Sequence, residues 1–171
     1  MQKELRVRKN IRLKGYDYSR TGHYFITICV KDRHEMLGCI DAGTNTTDKC
    51  DGRNTFIPTE YADIVEKEIA VLENTYDNVT IDKYVIMPNH IHMIVTIKGN
   101  SERTQDVPTI SRIVKQFKGS VTKQIGFSLW QPRFYDEIIR DKEAYHAVWR
   151  YIEENPQKWT DDDYFVKPAA H

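Results

Sequence analysis

The chain has 171 residues, which predicts one domain large enough to bury a self-sufficient core. Hydrophobic residues make up 40% of it, and no apolar run approaches the length of a membrane span, so we expect no membrane partner. The three cysteines, Cys29, Cys39 and Cys50, lack C-x-x-C spacing and favour neither a disulfide framework nor a zinc ribbon. The first twenty residues lack the apolar core of a signal peptide, and we therefore expect a cytoplasmic protein.

The formal net charge is zero, from 25 basic and 25 acidic residues, but the charges are unevenly distributed. Basic residues crowd positions 1–20, among them Arg12 and Lys14, whereas Asp161 to Asp163 form an acidic run near the other end. A basic arm of this kind is either a solvated tail or a segment that follows a phosphate backbone, and the sequence favours neither.

The first part of the chain predicts two strands and a helix. β-branched and aromatic residues from Tyr24 to Val30 predict a buried strand, and Met36 to Ile40 is expected to pair back with it. The polar stretch from about Asp41 to Asn54 predicts a loop. Helical spacing of apolar residues after Thr59 predicts a helix that ends near Tyr76.

Two further strands are predicted, from Val79 to Met87 and from His90 to Ile97, joined by the turn Pro88-Asn89. A loop over 99–107 follows. Pro108 is expected to open a second helix, because proline is favoured in the first helical turn.

The last part of the chain predicts an extended segment and a final helix. The segment from Leu129 to Ile139 is extended, and Pro132 favours an edge position or an irregular start for it. Asp141 is expected to cap a helix that runs to about Asn155 and is stopped by Pro156.

The order of elements is strand, strand, helix, strand, strand, helix, strand, helix, which predicts an α+β fold. An antiparallel sheet of about four or five strands with packed helices, similar to the ferredoxin-like and RRM-like plaits, accommodates this order. We expect a single domain over 1–171, with the basic arm over 1–20 and a C-terminal tail over 160–171.

The strand from His90 to Ile97 has two different faces, because side chains alternate along a strand. One face is wholly apolar and consists of Ile91, Met93, Val95 and Ile97. The other carries His90 and His92 together with Ile94 and Thr96. Two imidazoles that point the same way are able to ligate one ion, although a lone His-x-His is more often polar surface on a half-exposed strand.

The final helix offers a partner for the histidines. Its periodicity directs Ala144, Tyr145, Val148, Trp149 and Ile152 to the core, with Tyr151 at the edge of that stripe. Asn155 lies one turn further on the same side. Each residue also has an ordinary structural explanation, Tyr151 as a tyrosine at the rim of the core and Asn155 as a helix-terminal residue before proline.

Basic and aromatic residues provide candidates for nucleic-acid contact. The second helix presents Arg112, Lys115 and Lys118 outward, which is typical of a solvated face and equally of a phosphate-binding one. Trp130 and Arg133 of the extended segment are candidates for stacking on unpaired bases and for binding phosphate. For Trp130, a place in the core is the alternative.

Three motifs in order resemble one family. They are Met-Pro-Asn-His-Ile-His at 87–92, Leu-Trp-Gln-Pro-Arg-Phe-Tyr-Asp-Glu-Ile-Ile-Arg at 129–140 and Arg-Tyr-Ile-Glu-Glu-Asn-Pro-Gln-Lys-Trp at 150–159. Their spacing is similar to that of the REP-associated tyrosine transposases, which belong to the single-tyrosine transposases of the HUH (His-hydrophobic-His) endonuclease superfamily. The opening residues at 11–18 and 22–25 also resemble that family.

The resemblance implies a role for each matched residue. His90 and His92 correspond to the ligands of a divalent metal, Mg²⁺ or Mn²⁺, and Tyr151 to a nucleophile that forms a 5′-phosphotyrosine on single-stranded DNA. Asn155 corresponds to the residue that completes the metal site, where related insertion-sequence transposases commonly have Gln. The implied substrate is DNA next to a hairpin, such as repetitive extragenic palindromes (REP sequences). Glu137 stands where many members have His, which leaves its role open.

Two other functions remain open on the sequence alone. One is a non-catalytic module that binds single-stranded nucleic acid on its sheet, as RNA-recognition folds do. The other is a metal-dependent hydrolase of small phosphoesters, although the carboxylate cluster of two-metal sites is missing. A homodimer is possible, because related insertion-sequence transposases are dimers that act in trans, whereas REP-associated members are expected to work as monomers.

Overall fold

The structure is a computed structural model that describes residues 21–41, 54–99 and 108–166. The strands are β1 (Gly22–Cys29), β2 (Gly38–Asp41), β3 (Thr55–Pro58), β4 (Val79–Met87), β5 (His90–Ile97) and β6 (Tyr135–Ile139). The helices are α1 (Glu60–Thr75), α2 (Ile110–Ile125) and α3 (Lys142–Glu154), with short 3₁₀ turns at Lys31–Arg33 and Asn155–Asp161. None of the helices in these ranges combines the length and apolar character that a membrane crossing requires.

A four-stranded antiparallel sheet in the order β4-β5-β1-β6 forms the centre of the fold. β5 lies between β4 and β1, and all eight of its residues are buried. The central position explains why this segment is apolar almost throughout, since water reaches neither of its faces. The predicted α+β fold, an antiparallel sheet of four strands with packed helices, is confirmed.

The helices cover opposite faces of this sheet. α1 and α2 pack on one face, where the larger core contains residues of both helices together with Ile91, Met93, Val95 and Ile97. α3 packs on the other, where Ile94 and Ile152 belong to a smaller cluster. The predicted alternation along β5 is therefore confirmed, and the histidines lie on the α3 side.

The expected pairing of Met36–Ile40 with the first strand is wrong. β2 pairs with β3 in a separate two-stranded sheet, because β5 and β6 already occupy both edges of β1. The strands of this small sheet approach so closely at Gly38 that a Cβ there would collide with the carbonyl oxygen of Ile57 and the ring of Phe56. Most of the polar loop predicted over 41–54 lies outside the described residues, and the sequence analysis missed β3 after it.

Local capping sets the ends of the last two helices. α2 begins two residues after Pro108, where the Thr109 side chain accepts a hydrogen bond from the Arg112 amide, and it ends at Gly126 with φ of 87°. The Asp141 carboxylate caps α3 by accepting from the Ala144 amide at 2.7 Å, as predicted. The chain then turns through the 3₁₀ segment Asn155–Asp161, which carries it back over the sheet.

Candidate metal and nucleophile site

His90 and His92 lie at the start of β5 and are almost completely buried, with 0% and 1% of their surfaces exposed. Their Nε2 atoms are 2.9 Å apart. The alternative of polar surface on a half-exposed strand is therefore wrong for this pair, because buried imidazoles require specific partners.

Asn89 fixes the orientation of the first imidazole. Its amide nitrogen donates to the backbone oxygens of Tyr164, at 2.9 Å, and of Arg33, at 3.2 Å. The amide oxygen of Asn89 lies 2.8 Å from Nδ1 of His90 and must accept, so that ring nitrogen carries the hydrogen. A neutral His90 therefore presents the lone pair of Nε2 toward His92.

Thr27 on β1 supports the second imidazole, with its hydroxyl 2.8 Å from Nδ1 of His92. The ring of Phe25 stacks on His92 at a centroid distance of 5.2 Å. When the hydroxyl accepts from Nδ1, both Nε2 lone pairs converge on one point. Metal-binding histidines commonly have this arrangement, with the other ring nitrogen held by a hydrogen-bond acceptor.

Tyr151 reaches the pair from the last turns of α3. Its hydroxyl oxygen lies 3.3 Å from Nε2 of His92, and the two rings make an edge contact at 5.2 Å. The side chain is 43% exposed, so it touches the buried histidines while remaining open to a ligand from solvent. The expected meeting of the tyrosine and the histidines is thus what the structure shows.

Asp162 joins this group, and the sequence analysis missed it. One ligand atom from each of His90, His92 and Asp162 lies within 4.8 Å of the others. One carboxylate oxygen of Asp162 accepts from the Tyr164 amide at 2.6 Å, and the other is 3.5 Å from the hydroxyl of Tyr151. The acidic run 161–163 was the available signal, but its spacing could not reveal which residue would turn inward.

Asn155 is 3% exposed and donates from its amide nitrogen to Asp162 at 2.8 Å. Its amide oxygen is buried and has no hydrogen-bond partner among the described residues. A buried acceptor left without a donor is costly unless a cation or water satisfies it. Two imidazole lone pairs, a carboxylate and this oxygen make a donor set that fits a divalent cation.

The surroundings raise the pKa of the Tyr151 phenol. Burial contributes most, followed by the negative charge of Asp162 and by Tyr164, while the amide of Asn155 acts in the opposite direction. The phenol is therefore neutral at neutral pH and needs activation to act as a nucleophile.

The segment after α3 covers the histidines. The ring of Tyr164 packs over His90 at a centroid distance of 4.4 Å, and Trp159 lies 6.0 Å away. Arg33 lies over the outer face of Tyr164 at 5.4 Å. Residues 160–166, which were assigned to a C-terminal tail, thus include part of the wall of the site. A cleft of about 310 Å³, lined by Tyr151 and the residues after it, remains open.

Two of the described residues that were predicted to contact DNA lie away from this site. Arg112 and Lys115 are exposed on α2, across the sheet from the histidines, and Arg133 is exposed in the segment before β6. Arg12 and Lys14 lie outside the described residues. Glu137 is exposed on β6, where it accepts a hydrogen bond from Tyr135 at 2.7 Å and does not belong to the histidine group.

Two of these predictions require revision. Trp130 is 4% exposed and packs against Phe117, so its ring is not accessible for stacking on a base. The ammonium of Lys118 donates to the carbonyl oxygens of Gln131 and Pro132, at 2.5 and 3.2 Å, and its pKa is lowered by burial. Both side chains hold the segment before β6 against α2, which composition alone does not reveal.

Fold and site together define a class: an antiparallel plait with a buried histidine pair that faces a tyrosine of the last helix. A family model described as "Transposase IS200 like" matches residues 49–155. The chain belongs to this family of DNA-cleaving transposases.

Individual proteins are similar to this chain over most of its length. An uncharacterized protein of Haemophilus influenzae is 33% identical over 93% of this chain and 93% of its own length. A second protein of that organism, provisionally named a REP-associated tyrosine transposase, is 22% identical over 83% of this chain and 74% of its own. The solved structure of a REP-associated tyrosine transposase bound to a REP hairpin has the same fold, with a TM-score of 0.60, 23% identity, and coverage of 84% of this chain and 72% of that one.

The electrostatics of the site can be tested through the phenol itself. Asp162→Asn is expected to lower the pKa of Tyr151, because removing the negative charge makes the phenolate less unfavourable. Tyrosine ¹³Cζ NMR titration measures this pKa, with Tyr151→Phe identifying the resonance. Asp163→Asn, an exposed neighbour, is the matched control. The same pKa in both variants would contradict the assigned role of Asp162.

Proposed function

We propose that this protein is a divalent-metal-dependent DNA strand transferase that cleaves single-stranded DNA through a covalent bond to Tyr151. The observation that carries the proposal is the 3.3 Å between the tyrosine hydroxyl and Nε2 of His92. A phenol held against a pair of convergent imidazoles is poorly explained as a core tyrosine, because 43% of its surface remains open. We expect it to act in the cytoplasm.

The metal would be held by Nε2 of His90 and His92, a carboxylate oxygen of Asp162 and the amide oxygen of Asn155. Mg²⁺ or Mn²⁺ bound there supplies Lewis acidity, which polarises the scissile phosphate and stabilises the charge that develops on it. The amide oxygen of Asn155, which is buried and has no hydrogen-bond partner within the described part of the chain, supports its inclusion, and the grouping of ligand atoms supports that of Asp162.

The chain's own residues provide the nucleophile and its orientation. Tyr151 Oη attacks the phosphorus and loses its proton, while the bond from phosphorus to the 3′-oxygen breaks and that oxygen ends as a 3′-hydroxyl. The 5′-phosphate remains on the tyrosine, so the phosphodiester link is conserved and can be passed to another DNA end. Contacts with Phe25 and His92 limit the ring to an orientation that directs the hydroxyl at the site.

The shape of the site favours an unpaired strand as substrate. Tyr151 lines a cleft of about 310 Å³ together with Lys158 and several acidic residues. A flexible strand can bring one phosphate into such a cleft, whereas a regular duplex holds its phosphates at fixed positions on a wide surface. The relative solved with a REP hairpin supports hairpin DNA as the target, with Arg112, Lys115 and Arg133 as exposed candidates for contacting the duplex.

Covalent capture tests this proposal against its alternatives. With Mn²⁺ and a panel of hairpin oligonucleotides labelled at the 3′ end, the wild type is expected to form a denaturation-resistant adduct. Tyr151→Phe is expected to abolish it, because this change removes the hydroxyl that lies 3.3 Å from Nε2 of His92. Tyr135→Phe, which removes a nearby hydroxyl from β6, is the control and should retain the adduct.

Other outcomes favour the other functions. Binding of hairpins without any adduct would indicate a non-catalytic binding module. Cleavage without an adduct, at an unchanged rate in Tyr151→Phe, would indicate a hydrolase.

The metal ligands make a separate prediction. Asp162→Asn and Asn155→Ala are each expected to weaken Mn²⁺ binding by about 10-fold to 100-fold, the usual cost of removing a group that binds or orients at a metal site. Calorimetric titration of the DNA-free protein with Mn²⁺ measures this affinity. Asp163→Asn should bind as the wild type does, and equal affinity in all three variants would refute the donor set.

A further inference from the structure

α3 carries the proposed nucleophile but is weakly anchored by apolar contacts. Ile152 is its one fully buried residue, whereas α1 and α2 each bury five. Because burial of apolar surface is the main force that docks a helix on a sheet, α3 depends more on its polar contacts than the other helices do. The position of Tyr151 therefore depends on those contacts.

A β-bulge in β4 supplies the polar contacts that hold α3. In the pairing of β4 with β5, Ile81 lies opposite Val95 and Lys83 lies opposite the next residue of β5, Ile94. Asp82 is therefore an extra residue of β4 with no residue of β5 opposite it. A bulge interrupts the alternation of side chains and re-aims them. Asp82 and Lys83 consequently both reach α3, although neighbours in a regular strand point to opposite faces.

Asp82 is the centre of a hydrogen-bonded group at the N-terminal end of α3. Its carboxylate accepts from the hydroxyls of Tyr145 at 2.9 Å, Thr96 at 2.6 Å and Thr80 at 3.0 Å. The ring of His23 packs edge-on against Tyr145 at 4.9 Å, and its Nδ1 lies 2.6 Å from the Thr96 hydroxyl. One carboxylate thus connects α3 to β4 and β5.

Lys83 continues the attachment along the same side of the helix. Its ammonium lies 4.9 Å from the centroid of the Trp149 ring and 3.4 Å from the carboxylate of Glu153. The α3 residues in these contacts, Tyr145, Trp149 and Glu153, are four positions apart and therefore lie in one row along the helix. Asp82 is the better anchor of the two, because the ion pair of Lys83 with Glu153 is exposed and worth little.

We propose that Asp82, displaced by the bulge, is a positioning residue that anchors α3 through Tyr145 and thereby sets the approach of Tyr151 to the histidine pair. The inference rests on the proposed function. Tyr151 follows Tyr145 by six residues, about 9 Å along the helix axis, so Asp82 touches neither the nucleophile nor the metal ligands. Its effect is transmitted by the rigid helix between the two tyrosines.

The expected consequence is a slower chemical step with unchanged binding. Small displacements of a reacting group reduce rates strongly, by up to about 100-fold for 1 Å. Tyr145→Phe removes the hydroxyl that donates to Asp82 and retains the ring. We expect it to reduce the single-turnover rate of adduct formation at saturating Mn²⁺ and hairpin by about tenfold, while the Kd for the hairpin stays unchanged.

Tyr84→Phe is a matched control. Tyr84 also links β4 to a helix through a carboxylate, with its hydroxyl 3.0 Å from Glu66 of α1 on the opposite side of the sheet. Both variants lose one tyrosine–carboxylate hydrogen bond, but only Tyr145→Phe affects the helix that carries Tyr151. Asp82→Asn is tested alone and combined with Tyr145→Phe. Because Tyr145 acts through its hydrogen bond to Asp82, the double variant should form the adduct no more slowly than Asp82→Asn does.

Hydrogen exchange of the DNA-free protein provides a readout that does not require activity. Tyr145→Phe is expected to accelerate exchange of the α3 amides relative to Tyr84→Phe, with β5 unaffected. The inference would be overturned if Tyr145→Phe and Tyr84→Phe showed equal exchange of the α3 amides and equal rates of adduct formation. It would also be overturned if the rate of adduct formation in Tyr145→Phe fell only in proportion to the fraction of unfolded protein. If the wild type forms no adduct, the proposed function fails, whereas the exchange comparison still decides whether Asp82 anchors the helix.

Discussion

Nε2 of His90 and Nε2 of His92 lie 2.9 Å apart in the interior of the protein, and the side chains of the candidate site are arranged around this contact. Burying two nitrogen lone pairs face to face is unfavourable unless a proton or cation lies between them. The protein nevertheless enforces the arrangement, by placing both histidines on the central strand and holding their outer nitrogens through Asn89 and Thr27. Valine or threonine at these positions would give a stable strand without this cost, so sheet formation alone does not explain the two histidines.

The last helix and the segment after it complete the site from the other side. Tyr151 belongs to the last turn of α3, Asn155 begins the 3₁₀ segment that follows, and Asp162 comes directly after that segment. Their mutual contacts place the hydroxyl, the amide and the carboxylate around the imidazoles, and Tyr164 covers the remaining side. Burial, and after it the negative charge of Asp162, raises the pKa of the Tyr151 phenol, so the hydroxyl is protonated at neutral pH.

Local sequence patterns predicted much of this arrangement, because the period of two along β5 directs the histidines to one face and the period of 3.6 along α3 places Tyr151 at its edge. Features set by distant contacts were not predictable. The pairing of β2 depends on which strands occupy the edges of β1, and the inward position of Asp162 depends on how the chain after α3 folds back to the histidines of β5. Trp130 and Lys118 resembled a nucleic-acid surface by composition, but Trp130 packs against Phe117 of α2, and Lys118 of α2 donates to the carbonyl oxygen of Gln131.

We propose that Tyr151 acts on the histidine pair of its own chain, which lies 3.3 Å from its hydroxyl. A mixture of two variants, each expected to be inactive alone, tests this: His92→Ala retains Tyr151, and Tyr151→Phe retains both histidines. With Mn²⁺ and a hairpin that the wild type cleaves, we expect no covalent adduct in the mixture, because the 3.3 Å contact lies within one chain. Restoration of the adduct by mixing would show that the tyrosine acts at the site of a partner chain and would refute the proposal.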